Sequence, residues 1–229
     1  MLQRHCAIRS AAIAGAALIA TALTLPSAYA AEDRFELVTF PTTDGGTIEA
    51  ALFAAEGDRA AVFAHGAVFN KESWYPQAER LQKAGVTALS IDFRGYGNSK
   101  AGNAAEKYPD VLGAVAFLEA KGFEKIAVLG GSMGGAAVLR ALAHSDSKAI
   151  VKAVLLAPAG GDPISSASIS KLFIVSEGDR LSATVKRLHE SSAEPKQLHL
   201  YSGNAHAQHL FKTEHAEDLT KRIVKFIAQ

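Results

Sequence analysis

Between residues 60 and 175 the chain repeats one pattern: a short, nearly unbroken apolar run, then a longer stretch of helical period. The apolar runs are residues 60–64, 86–91, 125–129, 151–157 and 172–175. A strand covered on both faces needs apolar side chains at almost every position, whereas a strand with one wet face alternates. In the stretches between and after these runs, Val111, Val115 and Leu118 share one helical face, and Leu219, Ile223 and Phe226 share another. Phe35, Leu37 and residues 47–53 flank Asp44-Gly45-Gly46, which reads as an antiparallel hairpin. Residues 197–201 read as the last strand. The pattern predicts an α/β fold: a mostly parallel, eight-stranded sheet with an N-terminal antiparallel hairpin and helices on both faces.

The first thirty residues follow a different logic. Arg4, His5 and Arg9 precede an uncharged apolar stretch, residues 11–25, and Pro26 then breaks it ahead of Ala28-Tyr29-Ala30. That order predicts a signal peptide over residues 1–30, cleaved after Ala30, leaving one domain over residues 31–229 in an exported protein, periplasmic or secreted. Residues 11–25 fall short of the roughly 20 apolar residues a spanning helix needs, so no stable membrane insertion is expected after cleavage. Cleavage would remove Arg4 and Arg9 from the 24 basic residues and none of the 23 acidic ones. A near-neutral chain has no electrostatic footprint for nucleic acid or an anionic surface. Cleavage would also remove Cys6, the single cysteine, and with it any disulfide or thiol nucleophile.

In helix-covered parallel sheets, ligands bind beyond the carboxyl ends of the strands. His65-Gly66, Asp92, Ser132, Asp179 and His206 each follow a strand-like segment and so converge on that edge. Gly130-Gly131-Ser132-Met133-Gly134-Gly135 contains G-x-S-x-G between a buried strand and a helix, the pattern of a nucleophile elbow. A side chain at 130 or 134 would crowd the close helix–strand approach.

At these residues the chain resembles the α/β-hydrolase family, as a small serine hydrolase or esterase without a lid, of dienelactone-hydrolase size but with a serine nucleophile. The carriers are His65-Gly66, the segment Asp92 to Ser99, the elbow, Asp179, and Gly203-Asn204-Ala205-His206, in the order Ser, Asp, His. The resemblance implies Ser132 as nucleophile, His206 as general base and Asp179 as the orienting acid. It also implies an oxyanion hole from the backbone N–H groups of Met133 and Ala67.

Rival positions exist. His209, His199 and His215 lie near His206, but Gly203 supplies a turn that favours His206, and His209 is expected to cap or pack the final helix. Glu177 and Asp162 compete with Asp179 for the acid, which the Gly178-Asp179 turn favours. Asp92 is expected to be structural, held by backbone N–H groups and Arg94. Gly95-Tyr96-Gly97 lacks the third glycine of a dinucleotide fingerprint, and apart from Glu214 no carboxylate or thiolate joins His206, His209 and His215 at a ligand spacing, so no nucleotide, metal or organic cofactor is expected.

Residues 158–171 are too short for a cap domain, while Phe69, Trp74 and Tyr75 lie near the oxyanion segment in sequence. The expected activity is hydrolysis of a small-molecule carboxylic ester through an acyl-enzyme. The same triad on an amide or peptide bond, or a non-catalytic binding scaffold, are the alternatives.

Overall fold

A computed structural model of the protein describes Met1, Leu2 and residues 34–229. The expected cleavage point after Ala30 lies outside the described residues, as does the leader apart from Met1 and Leu2. Among the described residues, no helix is long and apolar enough to cross a membrane.

In chain order the elements are β1 (Glu36–Pro41), β2 (Thr47–Phe53), β3 (Arg59–Ala64), a 3-10 turn (Lys71–Trp74), α1 (Tyr75–Lys83), β4 (Val86–Ile91), α2 (Tyr108–Ala120), β5 (Lys125–Gly131) and α3 (Met133–His144). They continue with β6 (Ile150–Leu156), β7 (Ser170–Ser176), α4 (Ser182–Ser191), β8 (Lys196–Tyr201), a second 3-10 turn (Ala207–Lys212) and α5 (Ala216–Ala228). The strands form one eight-stranded sheet in the order β1-β2-β4-β3-β5-β6-β7-β8. The first hairpin is antiparallel and β2 joins β4 antiparallel; every later pairing is parallel.

The strand reading agrees with the expected apolar runs because the central strands are buried on both faces. β4 is buried at every position, and β3 and β5 at every position after the first. Consecutive strand residues face opposite sides of a sheet, and the two glycines at the end of β5 show what lies on each side. A Cβ on Gly130 would meet Gly134 and Gly135 at the start of α3, whereas one on Gly131 would meet Ala207 and Gln208. Helix α3 therefore packs on one face, and the second 3-10 turn, which leads into α5, on the other. Helix α2 joins α3, and α1 joins α5. In α2 the expected face is buried, with Val111, Val115 and Leu118 in the core. In α5 the stripe is shifted: Leu219, Ile223 and Ile227 are buried, while Phe226 is half-buried beneath the Lys152 ammonium.

Residues 157–169, between β6 and β7, form neither helix nor strand, so there is no cap domain at the point where one was considered. The connection is pinned near its middle: Ile164 is buried, its N–H donates to Ser192 Oγ and its carbonyl accepts the Ala193 N–H.

Candidate active site

The β5–α3 turn puts Ser132 in a left-handed backbone conformation, φ 51° and ψ −114°, which L side chains adopt only where the surroundings enforce it. Those surroundings are tight. The Ser132 N–H donates to Leu156 O and its carbonyl accepts the Ala136 and Ala159 N–H groups. A Cβ on Gly130 would collide with the Gly134 carbonyl, and one on Gly134 with the backbone of Ala64 and His65. Only glycine at 134 lets the N-terminus of α3 sit against the end of β3, and that contact brings Met133 beside His65-Gly66-Ala67.

On the other side, the ends of β7 and β8 are laced together. The Glu177 N–H donates to Tyr201 O, the Gly178 N–H to Gly203 O, and the Ser176 hydroxyl to Ala205 O at 2.6 Å. Gly203 makes the turn with φ 86°. This lacing delivers His206 to the elbow: Nε2 lies 2.8 Å from Ser132 Oγ and Nδ1 lies 2.7 Å from Asp179 Oδ2. A carboxylate only accepts, so the proton sits on Nδ1, and Nε2 is left to accept the serine hydroxyl. The Asp179 side chain is 1 % exposed, and its other oxygen accepts the Leu181 N–H at 2.8 Å. Asp179 is thus locked while the histidine keeps an open edge, 26 % exposed.

The competing side chains lie elsewhere. Glu177 and Asp162 are exposed and make no hydrogen bond with His206. His199 and His215 flank the ring of Tyr201 at 4.4 and 4.8 Å, and the Tyr201 hydroxyl donates to Asp218. His209 leans on Phe69 at 5.0 Å, on the 3-10 turn after His206, and His215 rather than His209 caps the final helix. Among the described residues, no group of three or more His, Cys, Asp or Glu side chains is placed to hold a metal.

The expected oxyanion donors have a defined setting. Gly66 O accepts both His65 Nδ1 at 2.8 Å and the Phe69 N–H at 3.0 Å. In a trans peptide the carbonyl and the next N–H point opposite ways, so the Ala67 N–H is turned away from these two donors. Neither the Ala67 nor the Met133 N–H has an acceptor among the described residues. Tyr96 ties the two together, its hydroxyl donating to Ala67 O at 2.9 Å and lying 3.8 Å from Met133 Sδ. His65 is fully buried, and its Nε2 accepts the Phe93 N–H at 3.2 Å. Burial lowers its pKa, and both ring nitrogens are satisfied by a neutral imidazole protonated on Nδ1.

One expectation needs correction. Asp92 is structural but is not held by Arg94: its carboxylate accepts the Lys71 backbone N–H at 2.8 Å and Lys71 Nζ at 2.7 Å. Arg94 instead bridges Asp44 and Asp110 through five charge-assisted bonds. The chain turns after Asp92, so the two side chains separate. Trp74 and Tyr75, near the oxyanion segment in sequence, pack into the core and onto the N-terminal hairpin instead. Trp74 is fully buried between Phe63 and Phe211, and Tyr75 packs on Phe35 and Phe53. Of that trio only Phe69 stays at the rim, beside Val68, which is 80 % exposed.

The sequence reading missed Lys71, Tyr96 and Gln208. Tyr96 stands in sequence only as a member of the Asp92 to Ser99 segment and of Gly95-Tyr96-Gly97, with no sign of a role for its hydroxyl. Lys71 carried one usable signal, being the single lysine in the segment between β3 and α1.

The chain belongs to the alpha/beta hydrolase family, whose model matches residues 61–221. No curated protein matches it. Among solved structures it is similar to an esterase from Pyrococcus furiosus, with 20 % identity, a TM-score of 0.67 and coverage of 84 % of this chain and 90 % of that one. It is also similar to the alpha/beta hydrolase GrgF from Penicillium sp. sh18, with 18 % identity, a TM-score of 0.70 and coverage of 84 % and 97 %. An esterase from Exiguobacterium antarcticum matches at 16 % identity with a TM-score of 0.69, over 84 % and 99 %. At these identities the likeness establishes the fold.

Proposed function

We propose that this protein is an exported serine hydrolase that cleaves small carboxylic esters through an acyl-enzyme. The observation that carries the reading is the unbroken hydrogen-bonded chain Ser132–His206–Asp179 at the carboxyl edge of the sheet.

A serine hydroxyl is a weak nucleophile until a base takes its proton. As Ser132 Oγ bonds to the ester carbonyl carbon, its proton passes to His206 Nε2, and Asp179 stabilises the resulting imidazolium. The carbonyl electron pair moves to oxygen, where the N–H groups of Met133 and Ala67 receive the charge. Collapse breaks the bond to the leaving oxygen, which takes the proton from Nε2 and departs as an alcohol. Water then repeats the sequence, losing its proton to His206, and the acid is released with Ser132 restored. Every proton is accounted for by side chains of this chain, so the scheme calls on no metal or cofactor. An open site between short connections suits small substrates, and the esterases among the similar structures point the same way.

Labelling with a fluorophosphonate, read by intact mass, tests the nucleophile. Wild type gains one adduct and Ser132→Ala gains none; an unlabelled wild type, or a labelled variant, overturns the mechanism. Export is tested in a bacterial host by fractionation and mass, with a mature chain beginning at Ala31 as the expected product.

A further inference from the structure

Gln208, two residues past His206, is 3 % exposed although it is a polar side chain on a surface 3-10 turn. Its amide is bonded at both ends. Oε1 accepts the Gly66 N–H at 2.6 Å, and Nε2 donates to Ser73 Oγ at 2.7 Å. Ser73 spends its own proton on Asn70 O, so it must accept from Gln208. A backbone N–H can only donate, so the amide orientation is fixed at both ends by chemistry. The side chain is also wedged sterically: a Cβ on Gly66 would lie 3.3 Å from Gln208 Oε1, and one on Gly131 would lie 3.3 Å from Gln208 Cγ.

The backbone bears a cost to put it there. Ala207, between His206 and Gln208, sits at φ 47°, which strains an alanine. Strain of this kind persists only where surrounding contacts over-determine it, and the Gln208 amide supplies them.

Gln208 therefore joins three segments: the histidine loop that carries it, the glycine before the oxyanion segment, and the strand end before the elbow. We infer that Gln208 is a positioning residue whose amide fixes the Gly66-Ala67 segment relative to His206, and so sets where the Ala67 N–H stands when the oxyanion forms. The inference rests on the Ser132 hydrolase reading. Gly66 is held at its carbonyl by His65 and Phe69, and at its N–H by Gln208. With the second hold removed, the peptide before Ala67 gains freedom, and the donor no longer meets the oxyanion in place.

The test is Gln208→Met, which keeps length and bulk and removes both hydrogen bonds. Turnover of a p-nitrophenyl ester is measured beside inhibition by a trifluoromethyl ketone, whose serine adduct carries the tetrahedral oxyanion. Loss of a preorganised oxyanion contact predicts a fall of about 10- to 100-fold in kcat/KM, carried by kcat with KM within about twofold. Ketone affinity should fall by the same factor, while fluorophosphonate labelling still goes to completion. A folded variant with wild-type kcat/KM, or one that loses turnover but keeps its ketone affinity, overturns the inference. If Gln208→Met does not fold, Ser73→Ala frees one end of the amide; a parallel fall of about threefold or more in kcat/KM and ketone affinity supports the inference, and unchanged values overturn it. A wild type that neither labels nor hydrolyses esters would instead sink the hydrolase reading on which this rests.

Discussion

Asp179 Oδ2 accepts His206 Nδ1 at 2.7 Å from a side chain that is 1 % exposed, while its other oxygen accepts a backbone N–H. A buried carboxylate held at both oxygens cannot swing away from the imidazole, so it can dictate which nitrogen carries the proton. Asp179→Asn keeps the shape and presents an amide that can reverse the tautomer. We expect kcat to fall by a factor on the order of 10³ to 10⁴ with the fold intact. Glu177→Gln and Asp162→Asn should stay within about twofold of wild type, and steady-state kinetics on one ester across the three variants checks this.

His206→Ala should abolish nearly all turnover, while His209→Ala, whose ring leans on Phe69, should retain most of it. Any loss in His209→Ala should appear in KM, because the ring borders the rim and does not touch Ser132. Initial-rate measurements over a range of ester concentrations separate the two outcomes.

Lys71 is the cation that pairs with Asp92 among the described residues, and its ammonium also meets Glu49 at 2.9 Å and Glu72 at 3.1 Å. Burial alone would lower its pKa, but the hydrogen bonds it donates to Asp92, Glu49 and Glu72 outweigh that and hold it above the ordinary lysine range. Lys71→Met leaves a carboxylate buried without its counter-charge, which typically costs about 3–5 kcal/mol. Urea unfolding should show a loss of that size, and adding Asp92→Asn should recover part of it.

The Arg94 guanidinium, bonded to Asp44 at 2.7 Å, holds the Asp44 carboxyl well below the usual carboxylate range, with Thr42 adding to the effect. A carboxylate whose folded pKa is depressed stabilises the fold above its unfolded value, 3.8, and loses that contribution as pH falls toward the folded value. Wild type should therefore exceed Asp44→Asn in stability at pH 7, with the gap narrowing as pH falls below 3.8. Denaturant unfolding of both proteins from pH 7 down to about 3 measures that gap.

The sheet was legible because doubly covered strands write themselves as unbroken apolar runs, and the elbow because strand, glycines and helix occur together. That Asp179 and His206 come together with Ser132 was legible for a related reason: both follow strand-like segments and sit at glycine turns. The ion partners of Asp92 and Arg94 were not legible. Proximity in sequence suggested that they pair, but the turn after β4 sends Asp92 back under Lys71 and Arg94 out toward Asp44 and Asp110. The sequence nearness of Trp74 and Tyr75 to the oxyanion segment says nothing of their direction: α1 begins at Tyr75 and both rings fold onto the sheet. Gln208 escaped notice because nothing in its neighbourhood announces a partner 142 residues away.

The connection between β6 and β7 has a consequence for what this scaffold could become. Its hydrogen bonds to Ser192 and Ala193 are made at Ile164, whereas Asp162 and Pro163 just before it are exposed. None of the hydrogen bonds linking Ser132, His206 and Asp179 passes through that pair. Extra chain grafted there would be tethered beside the elbow without disturbing the strands and turns that aim the three side chains. One exposed stretch thus offers a port at which a roof of any size could be fitted, altering which molecules could reach Ser132 while the strands and turns beneath stay as they are.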